Sequence, residues 1–195
     1  MSFTMDAGIV GRWGRESTSF FYNETVIQLA KPLAPCYLRV GGTSQDFTSY
    51  DFGGKFVAAN ASDHLKPLIL NETVIQGLTH FAKSTGWKLI FGTNAATMRD
   101  SEGSWRPAAF ENMLAAMAKD NLTMAGVELG NEPDLFHEHN VSKIPSAKQL
   151  ALDFGVLSSL MQDTGALVLG PDVANDVSFF RDFLNNLTFP KHVHM

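Results

Sequence analysis

Glu132 is the carboxylate of this sequence with the strongest case for chemistry. It follows Leu129-Gly130-Asn131 and precedes Pro133. A residue before proline is pushed out of the helical region, so Glu132 is expected in extended or turn-like backbone, held in a fixed pose. A fixed carboxyl at the end of a strand suits proton transfer. Cleavage of a glycosidic bond needs an acid still protonated near the working pH, plus a second carboxylate at a defined distance. Asn131, an amide beside it, can hold a sugar hydroxyl without competing for the proton. The alternative is plain: a glutamate after a strand can simply be exposed.

Other polar residues stand at equivalent places. Short apolar runs end in glycine or a turn signal: Phe3-Thr4-Met5-Asp6, Tyr37-Leu38-Arg39-Val40-Gly41, Leu89-Ile90-Phe91-Gly92, Val127-Glu128-Leu129-Gly130 and Leu167-Val168-Leu169-Gly170. These read as buried parallel strands. Asp6 closes the first, Thr43 follows the second, Asn94 the third, Asn131-Glu132 the fourth and Asp172 the fifth. For Asp6, Asn94 and Asp172 a helix cap or a closed turn is an equal alternative.

Between the runs lie segments of helical period. Val74, Leu78, Phe81 and Ala82 form one set; Phe110, Leu114, Met117 and Ala118 follow Pro107; Leu150, Phe154, Leu157 and Met161 follow the expected cap Ser146; and Val177, Phe180, Leu184 and Leu187 make a last set. The strand-end glycines 41, 92, 130 and 170 are 51, 38 and 40 residues apart, room for strand, loop, helix and return. The pattern predicts an α/β chain of the (β/α)8 TIM-barrel type. With five strands in 195 residues, against about 250 for a closed barrel, the barrel is expected to be incomplete, holding about its first five βα units. An open doubly wound sheet is the alternative, but no G-x-G-x-x-G follows the first strand. The stretch from Asp51 to Lys66, with Gly53-Gly54 and Asn60-Ala61-Ser62, is the least regular and is expected to run over the surface above the first two strands.

Composition narrows the partners. The net charge is −5, with 18% charged and 45% apolar residues, and no basic stripe. Nucleic acid is therefore a poor partner, and polyanions in general are disfavoured. No apolar run approaches the roughly 18 residues of a transmembrane helix, and Met1-Ser2-Phe3-Thr4-Met5-Asp6 lacks the features of a signal peptide, which on its own predicts a cytosolic chain. Against this stand six N-x-S/T sequons at Asn23, Asn60, Asn71, Asn121, Asn140 and Asn186, a density that suits the secretory pathway. Cys36 is alone, which rules out an internal disulfide and reads as a small buried apolar residue. His137-Glu138-His139 has spacing that joins two imidazoles only on a strand, and no third ligand is evident; an exposed loop is expected, with a substrate-rim role as the alternative and no metal. No cofactor motif is present.

The runs named above, with Gly42-Thr43 and Asp46-Phe47 after the second, Asn94-Ala95 after the third, Asn131-Glu132-Pro133 after the fourth and Gly170-Pro171-Asp172-Val173 at the fifth, resemble the heparanase family in order along nearly the whole chain. Members of that family are retaining endo-β-glucuronidases with a barrel followed by a β-sandwich domain. The resemblance implies that Glu132 is the general acid/base, that Asn131 contacts the sugar, and that Asp6 and Thr43 belong to the substrate-binding floor. It implies as substrate or partner a polysaccharide or proteoglycan containing glucuronic acid, such as heparan sulfate, and a secreted or lysosomal location. It makes residues 1–195 a partial catalytic barrel without the C-terminal barrel half and the sandwich. The family's nucleophile is a glutamate at the seventh strand, so the isolated chain is expected to be inactive, with self-association through open barrel edges as a further expectation. Three departures bear on specificity: Gly8 replaces an asparagine, Ser44 replaces a lysine, and Asp134-Leu135-Phe136-His137-Glu138-His139 stands where the family has a pair of lysines. A cleft with fewer lysines suits dense sulfate poorly. A non-catalytic glycan-binding or interaction protein is the rival reading.

Overall fold

The computed structural model describes residues 1–13, 20–59, 68–139, 141–188 and 193–194. Six parallel strands form its main sheet: β1 (Ser2–Asp6), β2 (Tyr37–Gly41), β6 (Lys88–Thr93), β7 (Met124–Leu129), β8 (Leu167–Leu169) and β9 (Val193–His194). Their order across the sheet is the order along the chain, so each new strand joins the same edge. A doubly wound sheet reverses direction at its centre, whereas a barrel winds one way, and the barrel alternative is the one observed. The apolar runs of the sequence predict five of these strands. The sixth is a two-residue strand in which the N–H of Gly170 donates to the carbonyl of His194 at 2.9 Å, too short to show a period.

The predicted helices are present: α3 (Glu72–Thr85), α4 (Ala108–Lys119), α5 (Ala147–Met161) and α6 (Val177–Asn186). Asn71 caps α3, the expected Ser146 caps α5 and Asp176 caps α6, each with a side-chain oxygen on first-turn N–H groups. Two shorter helices, α1 (Ala7–Trp13) and α2 (Glu24–Ala30), precede β2. Alternation across the strands separates two faces. Leu38, Val40, Leu89, Phe91, Val127 and Val168 are buried on one, while Arg39, Ile90, Glu128 and Leu169 on the other are only partly covered. That second face is the interior of the barrel, open along six strands.

The described part of the expected excursion does lie at the surface, with residues 53–56 and 58 exposed and Phe52 buried, but it is more regular than expected. Residues 48–57 form β3 (Thr48–Phe52) and β4 (Lys55–Val57), a hairpin turning at Gly53-Gly54, and β3 pairs in parallel with β5 (Leu68–Asn71). Tyr50 and Phe52 are fully buried, and the Tyr50 hydroxyl lies 3.0 Å from the hydroxyl of Thr93. β3 thus packs into the core at the end of β6, while the turn and most of β4 stay at the surface. Residues 60–67, with the sequon at Asn60, lie outside the described residues, as do Asn140 and His192. Cys36 is buried as expected, and no helix among the described residues is long and apolar enough to cross a membrane.

Candidate active site

Parallel pairing places the carboxyl ends of β1, β2, β6, β7 and β8 along one edge, with Asp6 beside Gly41 and Thr93 beside Leu129. All the polar positions singled out in the sequence gather there. At the end of β7 the chain turns through Gly130, whose φ is +79; a Cβ there would lie 2.9 Å from the Ala95 side chain, so both backbone conformation and space call for glycine.

Glu132 then adopts φ +50, a left-handed conformation that is uncommon for a residue with a side chain. Of the options left open by Pro133, this is the turn and not the extended one. Such a pose costs on the order of 1 kcal/mol or more and persists only when its surroundings hold it. They do so here. The N–H of Glu132 donates to the Asp172 carbonyl at 2.8 Å, and its own carbonyl accepts from the N–H of Leu135 at 2.9 Å. The Asn131 carboxamide donates to Glu132 Oε2 at 3.3 Å. Glu132 itself is partly exposed at the cleft edge, while Asn131 is buried beneath it.

Beneath this turn lies a charged cluster inside the barrel. From β2, Arg39 Nε donates to Glu128 Oε2 of β7 at 2.7 Å, and Arg39 Nη2 reaches Asp172 Oδ2 at 2.6 Å and Asn131 Oδ1 at 3.3 Å. Burial pushes the Glu128 carboxyl above its ordinary range, the charge and hydrogen bond of Arg39 oppose that, and the Asp172 charge adds to it. Asp172 is therefore an ion-pair partner and a backbone support for Glu132, not a simple turn residue. Asn94 goes the other way: fully buried, it accepts from the N–H of Thr97 at 2.9 Å and donates to the Thr48 carbonyl at 3.0 Å, closing a turn.

Asp6 and Thr43 share a neighbouring corner. Asp6 Oδ1 accepts from the N–H of Gly8 at 2.8 Å, and a Cβ on Gly42 would sit 2.8 Å from Asp6 Oδ2, so the carboxylate rests against the backbone next to Thr43. A Cβ on Gly8 would also lie 3.0 Å from Ser44 Oγ, which puts two of the family departures side by side. With strands spaced by about 4.8 Å, this corner is roughly 10 to 15 Å from the end of β7, a span suited to an extended ligand along the strand ends.

The structure adds residues that were not singled out. Arg39 and Glu128 were legible as charges inside otherwise apolar strand runs. Asp46 lies in the 3₁₀ turn Thr43–Phe47 and is 1% exposed; its Oδ1 accepts from the N–H groups of Ala95 at 2.8 Å and Ala96 at 3.2 Å, and its Oδ2 from the N–H of Asn131 at 2.7 Å. Asp134 accepts three further N–H groups, those of Ala174, Asn175 and Asp176, each at 3.0 Å, tying the segment after Glu132 to the loop before α6. His137 and His139 are not on a loop but in the 3₁₀ segment Pro133–His139, with His137 exposed and His139 set edge-on to Phe47 at 6.4 Å. Among the described residues no cluster fit to hold a metal ion is present.

The chain is similar in sequence and fold to known proteins. Heparanase-like protein 3 of Arabidopsis thaliana is 28% identical, over 84% of this chain and 34% of its own length; heparanase of Bos taurus is 24% identical, over 94% of this chain and 42% of its own. The chain thus spans about a third to two fifths of these relatives. A 4-O-α-L-rhamnosyl-β-D-glucuronidase from Fusarium oxysporum 12S superposes with a TM-score of 0.54 at 17% identity, covering 99% of this chain and 42% of that one. A family 51 α-L-arabinofuranosidase from Bifidobacterium longum gives 0.59 at 13% identity, covering 98% and 42%, so the likeness to both is one of fold. The model of glycosyl hydrolase family 79, N-terminal domain, matches residues 13–194, and the chain belongs to that family.

Proposed function

We propose that this chain is the acid/base-bearing part of a retaining β-glucuronidase-type glycoside hydrolase acting on glycans that contain glucuronic acid, with Glu132 as proton donor. The observation that carries this reading is the φ of +50 at Glu132, held by the Asp172 carbonyl and the Asn131 carboxamide at the mouth of a barrel-type sheet. A strained, over-determined carboxylate at that edge is what a positioned acid requires. Asn131 orients it, and Asp6 and Thr43 line the floor of the cleft, three and two strands away.

A retaining mechanism needs a second carboxylate about 5 to 5.5 Å from the first, to form the covalent intermediate. The family places it on a seventh strand, and the main sheet of the described residues has six. Glu128 and Asp172, the nearby alternatives, are both engaged by Arg39. Residues 1–195 alone are therefore proposed to bind glycan without turning it over. Beneath the cleft edge Arg39 is a cation already paired twice, and His137 and His139 stand in the segment after Glu132. Unsulfated or sparsely sulfated glucuronides fit this charge better than densely sulfated ones. A secreted or lysosomal location fits the sequons: Asn23 and Asn121 are exposed, and the amide nitrogens of the caps Asn23 and Asn71 take no part in capping.

Isothermal titration of residues 1–195 with glucuronic-acid-containing oligosaccharides, alongside a turnover assay, tests the proposal. Binding that weakens as sulfation rises, without turnover, is expected. Normal turnover by the chain alone, abolished in Glu132→Gln, would overturn the missing-nucleophile step.

The open strands β1 and β9 and the exposed Phe3, Tyr37 and Leu167 support a second reading, an interaction protein that closes its barrel with another copy or chain. Analytical ultracentrifugation separates them: a stable monomer at micromolar concentration counts against this second reading.

A further inference from the structure

Asp46 takes no part in proton donation as described, yet its two carboxylate oxygens are divided between two loops. Oδ1 receives the N–H groups of Ala95 and Ala96 after β6, and Oδ2 receives the N–H of Asn131 after β7. One buried side chain thus joins the carboxyl ends of β2, β6 and β7, and its contact on β7 is the residue immediately before Glu132.

We propose that Asp46 is a positioning residue for Glu132, acting through the Asn131 amide, and that a proton taken up by Asp46 frees that amide and re-aims the Glu132 carboxyl. The inference rests on reading Glu132 as the proton donor. An ionised carboxylate only accepts hydrogen bonds, whereas a protonated one carries a donor on one oxygen. Oδ1 already holds two N–H groups and Oδ2 one, so the proton goes to Oδ2, where it opposes the N–H of Asn131. The peptide that turns the chain into Glu132 then loses its anchor, and the pose at φ +50 loses one of the contacts that fix it.

The groups facing Asp46 set when this happens. Burial pushes its carboxyl up to about 7, against the pull of the three N–H groups and of the Arg99 charge in the loop between β6 and α4. Tyr50 of β3 also senses the Asp46 charge; its hydroxyl is pushed up to about 12, first by burial and further by that charge, so it stays neutral across the range in question. The proton on Asp46 therefore exchanges in a range where a glycosidase works, and the effect grows as pH falls.

Nuclear magnetic resonance of residues 1–195 without any glycan tests this directly. The Asn131 amide proton is expected to move upfield as pH is lowered through the midpoint that the Asp46 carboxyl carbon reports, and the Glu132 carboxyl carbon to show an inflection at the same midpoint. In Asp46→Asn both pH-dependent changes vanish while the far-ultraviolet spectrum is kept. An Asn131 amide that does not follow the Asp46 titration, or an inflection of Glu132 at the Asp46 midpoint that survives in Asp46→Asn, overturns the proposal. Should the variant fail to fold, the wild-type titration alone decides. No sugar is involved, so a failure of glycan binding leaves this result standing, and the reverse.

Discussion

Arg39 and Glu128, on the same face of two strands separated by β6, meet at 2.7 Å inside the barrel, and the same guanidinium holds Asp172 at 2.6 Å. Removing the arginine leaves two carboxylates facing each other with no counter-charge. Arg39→Ala is expected to cost about 2 to 3 kcal/mol at pH 7 in urea denaturation. Glu128 is raised by burial even with its partner, and more so without it. A raised carboxyl stabilises the fold while protonated, and loses that contribution as pH rises through its folded value. The deficit of the variant should therefore be smaller at pH 4.5 than at pH 7. An equal deficit at both would reduce Arg39 to packing.

Asp46 gives a second pH signature. Its folded value of about 7 lies above the ordinary 3.8, so the protonated form is the one the fold favours. Its contribution is fully present below about pH 4 and is lost as pH rises through about 7. Relative to Asp46→Asn, the wild type should gain on the order of 4 kcal/mol in stability between pH 8 and pH 4, because each pH unit between the unfolded and folded values is worth about 1.4 kcal/mol. Denaturation curves of both proteins across that range show whether the difference has this sign.

Asp134 has the opposite signature. Burial works to raise its carboxyl, but the N–H groups of Asn175, Ala174 and Asp176 together hold it below the usual carboxylate range. It stays ionised through mildly acid conditions, and its contribution disappears only as pH falls through that lowered value. Asp134→Ala should cost about 1 kcal/mol, as loss of a helix cap does, equally at pH 5 and pH 7. Hydrogen exchange should quicken at residues 174–176, and unchanged exchange there would mean the loop stands without the clamp.

The strands, the four longer helices and the edge where polar residues gather were legible because period and strand-end glycines are local signals. Ser146 as a cap and Asn94 as a turn residue follow from the same local rules. What could not be read is carried by distance along the chain. The partners of Asp46 lie 49, 50 and 85 residues away, and Arg39 meets Glu128 and Asp172 across 89 and 133. The hairpin of β3 and β4 escaped because its apolar residues are few and split by Gly53-Gly54, so that only packing against β5 and α4 completes it. Pro133 announced a turn at Glu132, and the hold of Asp172 on it required the fold.

The central claim, that Glu132 donates the proton, is tested most directly by leaving-group dependence. Residues 1–195 can replace the matching N-terminal part of a complete family 79 enzyme, and β-glucuronides with poor and good leaving groups can be assayed with and without Glu132→Gln. Turnover of the substrate with the poor leaving group should fall by about 10²- to 10⁴-fold, the usual worth of general acid catalysis, while the first step on the good leaving group is nearly spared. Equal loss on both substrates, or no loss on either, would contradict the assignment of Glu132 as the acid.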